Sequence, residues 1–291
     1  MASLSLSLPG GLLIDGAITH LRRERARVEP ARPRSPRVPD PRPIRVPGIS
    51  REVVVKIASE PQEWEQAFEL VGANYQKRGY EAATTKLYRF TPYHALPDTT
   101  LFVAREGERV LATFSLVPDN TLLGLPMEAL YAAEIADLRR QGRHLAEVTS
   151  LAVSDLGQRE FLQVFVTMIR VMKQHHVSRG GDTWVITVNP RHRNFYCKIL
   201  GYQPLGPCKP YAAVGNAPAE AYVLDRDQMR TNAPGAYERI FGEWLPAEVL
   251  TGVALPRPFV RYFGAQSTQA DEARIGAILR SVAAAGSPRA W

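Results

Sequence analysis

The sequence predicts a mixed α/β fold built around a central sheet. Two observations carry this. Short stretches of period-two apolar alternation recur through the middle of the chain, separated by stretches of helical period. Their order is strand, helix, loop, strand, strand, helix, strand, helix, strand, helix, strand, strand. That order alternates too loosely for a barrel or a Rossmann sheet. A third observation agrees with this: no G-x-G-x-x-G or G-K-[ST] phosphate loop occurs in the chain.

The elements follow in order. VVVKIA (53–58) is the first strand of the body. Ser59 then stands where a helix cap is needed, with Pro61 in the first turn and Glu63 close behind. The helix buries Trp64, Phe68, Val71 and Tyr75, spaced by three and four. Residues 81–98 read as a long loop holding Tyr88, Phe90, Tyr93 and His94; an aromatic loop of that length is functional or well packed. TTLFVARE and RVLATFSLVPD form a hairpin around Gly107-Glu108, with Thr113 and Ser115 sharing a face with Leu111 and Val117. A helix runs from about Pro126 to Gln141.

The segment GRHLAEVTSLAV (142–153) is the most informative of all. Read as a strand, it puts Leu145, Glu147, Thr149, Leu151 and Val153 on one face. A carboxylate among leucines is costly unless it is paired or used. Burial raises its pKa towards the range of a working base. Glu147 is therefore either a catalytic base or a structural glutamate held by an arginine or by backbone amides.

A strongly apolar helix follows from about Gln158 to His176, with Phe161, Leu162, Val164, Phe165, Val166, Met168, Ile169 and Met172 covering most of its circumference. Such a helix is buried. DTWVITVNP is a strand, and RHRNFYCKIL a short helix ended by Gly201. Two more strands fall at about 208–215 and 220–225, and the chain from Thr231 is helical with proline breaks.

Composition bounds the function. With 291 residues, 45% hydrophobic and 22% charged, the chain has ample material for a core. The net charge of +7 is concentrated between Arg22 and Arg51, where ten arginines meet three acids, so the body is neutral. That leaves no general positive field for nucleic acid. Seven prolines stand between Pro30 and Pro47. Residues 1–50 therefore read as a disordered Pro/Arg-rich tail, 51–230 as the folded body and 231–291 as a helical C-terminal extension. The tail suits an acidic partner, RNA or an anionic membrane surface, or is simply a solvated extension. The first twenty residues make a poor secretory signal and no stretch is apolar enough to span a membrane. Two cysteines, Cys197 and Cys208, form no metal pattern and suit a reducing cytoplasm.

Several segments carry a resemblance: YQKRGY (75–80), PYHALPDTTLFVA (92–104), TFSLVPD (113–119), GLPMEALYAAEIADLRRQGR (124–143), AEVTSLAV (146–153) and NPRHRNFYCKILGYQPLG (189–206). Together they resemble the long-chain N-acyl amino acid synthases, relatives of the acyl-homoserine lactone synthases within the GNAT-type N-acyltransferase fold. The likeness spans roughly residues 52–226.

The resemblance implies transfer of a long-chain fatty acyl group from acyl carrier protein to an amino acid nitrogen, tyrosine in the best known case. It implies no bound cofactor and no metal, with the acyl-phosphopantetheine arm as donor substrate. By position, the amides of Leu151, Ala152 and Val153 would polarise the acyl carbonyl. Glu147 is similar to the glutamate of the E-x-S-R-[FL] motif of the lactone synthases, with Ser150 in place of their arginine.

Tyr196 stands where related enzymes reprotonate the thiol, and is equally suited to a core. His94 would be a base, a substrate contact or a turn hydrogen bond. Thr113, Ser115 and Thr149 would line the substrate pocket or bond backbone. Glu134 and Arg143 are expected to pair with each other. The turn SDLGQRE (154–160) has a single glycine and two acids, a poor match to the pyrophosphate-binding turn of the coenzyme A users of this fold, which favours a carrier protein over coenzyme A. Arg191 and Arg193, with His192 or the tail, would dock such an acidic carrier. The competing readings are a coenzyme A-dependent N-acyltransferase acting on another amine, and a non-catalytic binding module.

Overall fold

The structure, a computed structural model, describes residues 31–34, 38–81 and 88–284. The chain divides into two units, Met1–Ala31 and Arg32–Trp291, and the elements below belong to the second. In chain order they are β1 (Ile44–Arg45), β2 (Val53–Ile57), α1 (Pro61–Lys77), β3 (Thr100–Glu106), β4 (Arg109–Pro118), α2 (Glu128–Arg140), β5 (Leu145–Val153), α3 (Gln158–Ser178), β6 (Thr183–Val188), β7 (Gln203–Tyr211) and β8 (Ala217–Asp225). Five C-terminal helices follow: α4 (Arg226–Asn232), α5 (Pro234–Phe241), α6 (Ala247–Leu250), α7 (Arg257–Gly264) and α8 (Gln269–Ala284). The strands make one eight-stranded sheet in the order β1-β2-β3-β4-β5-β6-β8-β7. Every pairing is antiparallel except β5 with β6. The mixed α/β architecture with a helical C-terminal extension is the one the sequence predicts.

Each face of the sheet has its own core. On one, α3 packs Val164, Phe165, Met168 and Met172 against Phe102, Phe114, Trp184 and Tyr222. On the other, α1 packs Trp64 and Phe68 with residues of α7 and α8. Phe263 is fully buried there, 4.9 Å from the Phe68 ring and 5.6 Å from that of Phe90. The C-terminal aromatics are thus buried against α1 and the aromatic loop. A third, smaller core joins α2 to β5 and β6 through Met127, Tyr131, Ile135, Leu145 and Val185.

Several sequence expectations need correction. The disorder expected up to residue 50 does not hold for residues 38–50. Ile44 and Arg45 pair with Val55 and Val54, Val46 is buried, and the Lys56 ammonium donates to Asp40 at 2.6 Å. Ile44 and Val46 give this proline-rich segment an apolar anchor, and prolines are tolerated at a sheet edge. Residues 1–30 and 35–37 of the expected tail lie outside the described residues.

The α1 cap is Glu60 rather than Ser59: the Glu63 carboxylate accepts from the Ser59 amide at 2.9 Å and the Glu60 amide at 3.2 Å. The short helix expected after β6 is a 3-10 turn, Pro190–His192, followed by a π-helical turn, Phe195–Ile199. The last hairpin begins at Gln203, five residues earlier than expected, because Pro204, Pro207 and Pro210 disguise an edge strand. Glu134 and Arg143 do not pair with each other; Glu134 faces Lys209 at 3.8 Å and Arg143 faces Asp225 at 3.5 Å. Arg143 lies beyond the end of α2, off the helical spacing that would bring the two together.

Candidate active site

The site begins with a defect in β5. Thr113 of β4 stands opposite Ala152 and Ser115 opposite Thr149, so Ser150 and Leu151 together oppose Phe114. This is a β-bulge, and Ser150 takes φ +59° to make it. The bulge inverts the alternation. Leu145, Glu147 and Thr149 share the α1/α2 face as the sequence predicts, but Leu151 and Val153 pack with the α3-side core instead. Left-handed backbone costs a serine about 1 kcal/mol. Ser150→Gly is therefore expected to raise stability by about 0.5–1 kcal/mol and Ser150→Val to lower it by more, read from denaturant midpoints.

The second feature is a parting of strands. β5 and β6 are paired at Leu145, Ala146 and Glu147, and the ladder stops there. β6 continues beside β8 as far as Val188, while β5 continues beside β4 as far as Val153. Half-buried apolar residues around this point pack against the α3-side core: Val148, Leu151 and Val153 from β5, Val188 from β6, and Phe195 and Tyr196 beyond it.

Glu147 sits at the point of parting. It is 3% exposed, opposite Val117 and Val185. Its Oε2 accepts from the Met127 amide at 2.7 Å, just before the first turn of α2. Burial pushes its carboxyl up to about 8; the Met127 amide opposes the rise and the neighbouring Glu128 carboxylate adds to it. Glu128 is itself held low by Arg139, which also donates to Asp119. Glu147 is thus a buried carboxyl positioned by a backbone amide, with no arginine paired to it among the described residues.

His94 and Ser115 are brought together. The His94 Nδ1 accepts from the Thr91 amide at 3.0 Å, which leaves the Nε2 proton to face the Ser115 hydroxyl at 3.1 Å. Burial is the main reason that the imidazole is pushed down to about 3, and Arg89 nearby adds to the fall. His94 therefore stays neutral and fixes Ser115, the register partner of Thr149. Thr113 is fully buried and donates to the Phe102 carbonyl at 3.0 Å, the backbone bond that was its alternative.

Tyr196 is half-buried in the π-turn with its ring against Phe195 and Tyr202, and burial raises its phenol to about 12. It packs with the α3-side core, on the opposite face from Glu147. Arg191 is exposed on the turn after β6 and donates to His192 at 3.0 Å. Arg193 is exposed too, but its guanidinium is paired with Glu220 and donates to the Tyr222 hydroxyl at 3.1 Å.

At the start of α3 the capping residue is Gly157, whose amide donates to the Glu160 carboxylate at 3.2 Å. Arg51 reaches the same turn, donating to the Asp155 carbonyl at 2.7 Å. The Glu160 carboxylate thus already holds the amide of the capping residue. Among the described residues no group of His, Cys, Asp and Glu is placed to hold a metal ion, and no helix is long and apolar enough to cross a membrane.

Sequence reasoning missed Met127 and Tyr211. Met127 acts through its backbone, which no side-chain pattern reveals. Tyr211 reaches the same peptide from a distant edge strand, its hydroxyl donating to the Pro126 carbonyl at 3.1 Å.

A mixed sheet with parted parallel strands, a bulge beside them and a buried carboxylate at the parting defines a GNAT-like N-acyltransferase. Solved structures agree. The structure of FeeM, an N-acyl amino acid synthase from uncultured soil microbes, is similar at 31% identity with a TM-score of 0.54, covering 63% of this chain and 96% of that one. The chain belongs to the FeeM N-acyl amino acid synthase family, whose model matches residues 66–225, more than half of its length. More distant likenesses are the acyl-homoserine lactone synthase LasI (13% identity, TM-score 0.47, covering 67% of this chain and 96% of that one) and an agmatine N-acetyltransferase (16%, 0.43, 60% and 99%). A search of curated protein sequences gives no match.

Proposed function

We propose that this N-acyltransferase moves a long-chain fatty acyl group from acyl carrier protein to the amino group of an amino acid with a tyrosine-like side chain. The observation that carries the reading is the buried Glu147 carboxyl, held by the Met127 amide at the parting of β5 and β6. In this reading the carboxylate takes a proton from the acceptor ammonium, and the free amine attacks the thioester carbonyl carbon. Among the amides of Leu151, Ala152 and Val153, those that point to the side of β5 that β6 has left hold the oxyanion. The C–N bond forms and the C–S bond breaks; the second amine proton leaves the nitrogen and reaches the thiolate by way of the Tyr196 hydroxyl, which burial keeps protonated, and Glu147 releases the first proton to solvent.

Ser115 and Thr149 line the acceptor side, with His94 fixing the serine. The apolar residues around the parting suit a fatty chain. The Glu160 carboxylate at the α3 terminus supports a carrier-protein donor, since a pyrophosphate would compete with it there. Of the two expected docking arginines, Arg191 has the freer charge for an acidic carrier.

The test is a product assay. The protein is incubated with all twenty amino acids and either long-chain acyl carrier protein or the matching acyl-coenzyme A, with mass spectrometry as readout. One dominant N-acyl amino acid from the carrier protein is expected. Product from coenzyme A alone would overturn the donor, and no product from either would overturn the reaction.

A further inference from the structure

The peptide joining Pro126 to Met127 is hydrogen-bonded at both ends by side chains from different parts of the sheet. Its N–H donates to Glu147 Oε2 at 2.7 Å and its C=O accepts from the Tyr211 hydroxyl at 3.1 Å. Hydrogen bonds in such a chain polarise one another: a donor on the carbonyl oxygen draws charge from the amide nitrogen and makes its N–H a better donor. We propose that Tyr211 is a positioning residue for Glu147, acting through the Pro126–Met127 peptide to stabilise the carboxylate form. The inference rests on the reading of Glu147 as the base, and deepens it.

The surroundings favour this. Tyr211 ends β7, the edge strand, and β7 grips the start of α2 at two further points. The Lys209 ammonium donates to the Leu130 carbonyl at 2.6 Å, and the Tyr131 hydroxyl donates to the Pro207 carbonyl at 2.8 Å. Gly206 allows that approach, since a Cβ there would stand 2.6 Å from the Tyr131 ring. The peptide is therefore held in place by the strand, and the Tyr211 hydroxyl adds an electronic contribution to the mechanical one. Burial, then Glu147 itself, raises the Tyr211 phenol above its ordinary range, so it remains a donor wherever the enzyme works. The other titratable groups facing Glu147 are Glu128 from α2 and Tyr93 from the 3-10 turn before β3. Neither replaces the Tyr211 bond to the Pro126 carbonyl.

The experiment reads the carboxyl directly. Protein labelled with carbon-13 at the glutamate side-chain carboxyl is titrated by NMR, and the Glu147 signal is assigned by its loss in Glu147→Gln. Tyr211→Phe removes one oxygen and keeps the ring. It is expected to raise the Glu147 midpoint by roughly half a pH unit, about threefold in proton affinity, and to move the acid limb of kcat/KM by the same amount. Lys209→Met loosens β7 from α2 without touching this peptide, and is expected to leave the midpoint where it is. An unchanged midpoint in Tyr211→Phe would overturn the proposal, as would an equal shift in Lys209→Met. The titration needs no turnover, so a failure of the acyltransfer reading would show in the product assay and leave this result standing.

Discussion

Glu147→Gln is expected to lower kcat/KM by about 10²–10⁴-fold while leaving the protein folded. The substitution is nearly isosteric, and its side-chain oxygen can still accept from the Met127 amide. What it loses is the capacity to take a proton. In the wild type that capacity appears as the carboxyl ionises, so kcat/KM is expected to rise with pH through about 8 and then level. Amine deprotonation in solution gives the residual rate, so the variant should keep a pH dependence set by the free acceptor amine alone.

The same carboxyl makes a stability prediction of known sign. Its folded pKa of about 8 lies above the ordinary 4.5, so the fold prefers the neutral form. That preference is fully present below pH 4.5 and is lost as pH rises through about 8. Wild type should therefore lose of order 2–4 kcal/mol across that window from this group, and Glu147→Gln should not. Thermal unfolding of both proteins at pH 5 and pH 8.5 checks it. A variant within threefold of wild-type activity at pH 8 would remove Glu147 from the role of base.

How much of this was legible from the chain depends on which physical signal each part leaves. Glu147 was found because a carboxylate in a period-two apolar pattern is an anomaly that burial alone makes expensive. The order of strands and helices followed from periodicity for the same reason. The bulge is not legible: Thr149-Ser150-Leu151 has no glycine or asparagine to announce a left-handed residue, so simple alternation puts Leu151 and Val153 on the face opposite to the one they occupy. β7 was shortened because three prolines read as loop, and only its edge position explains how a strand tolerates them. His94 and Ser115 were both chosen from the sequence, but their pairing across 21 residues belongs to the tertiary structure. Tyr211 and Met127 left no trace, because what matters in them is a peptide group shared from two directions.

Lys173 is a second charged residue set in an apolar pattern. In a helix apolar around most of its circumference, a lysine has no exposed side left to occupy. In the structure it is fully buried on α3, with no hydrogen-bond partner for its nitrogen among the described residues, 3.5 Å from the Trp184 ring centroid and 5.3 Å from that of Tyr202. His176 lies beside it and gains nothing from a second charge. A cation over an indole recovers about 2 kcal/mol or more when desolvated, far less than the cost of burying an isolated ammonium. Burial therefore holds the Lys173 pKa well below 10.5.

The sign then follows. Below its folded pKa the full cost is present; it shrinks as pH rises towards 10.5 and is absent above. Lys173→Met keeps the volume and places a polarisable sulfur over the indole. It is expected to stabilise the protein by about 2–4 kcal/mol at pH 7, a rise of roughly 5–10 °C in Tm. The gain should shrink as pH approaches 10.5, where the unfolded lysine also becomes neutral. Thermal melts of both proteins at pH 7 and pH 10 decide it. Equal stability at pH 7, or a gain that does not change with pH, would mean that the aromatic pair holds Lys173 as a cation.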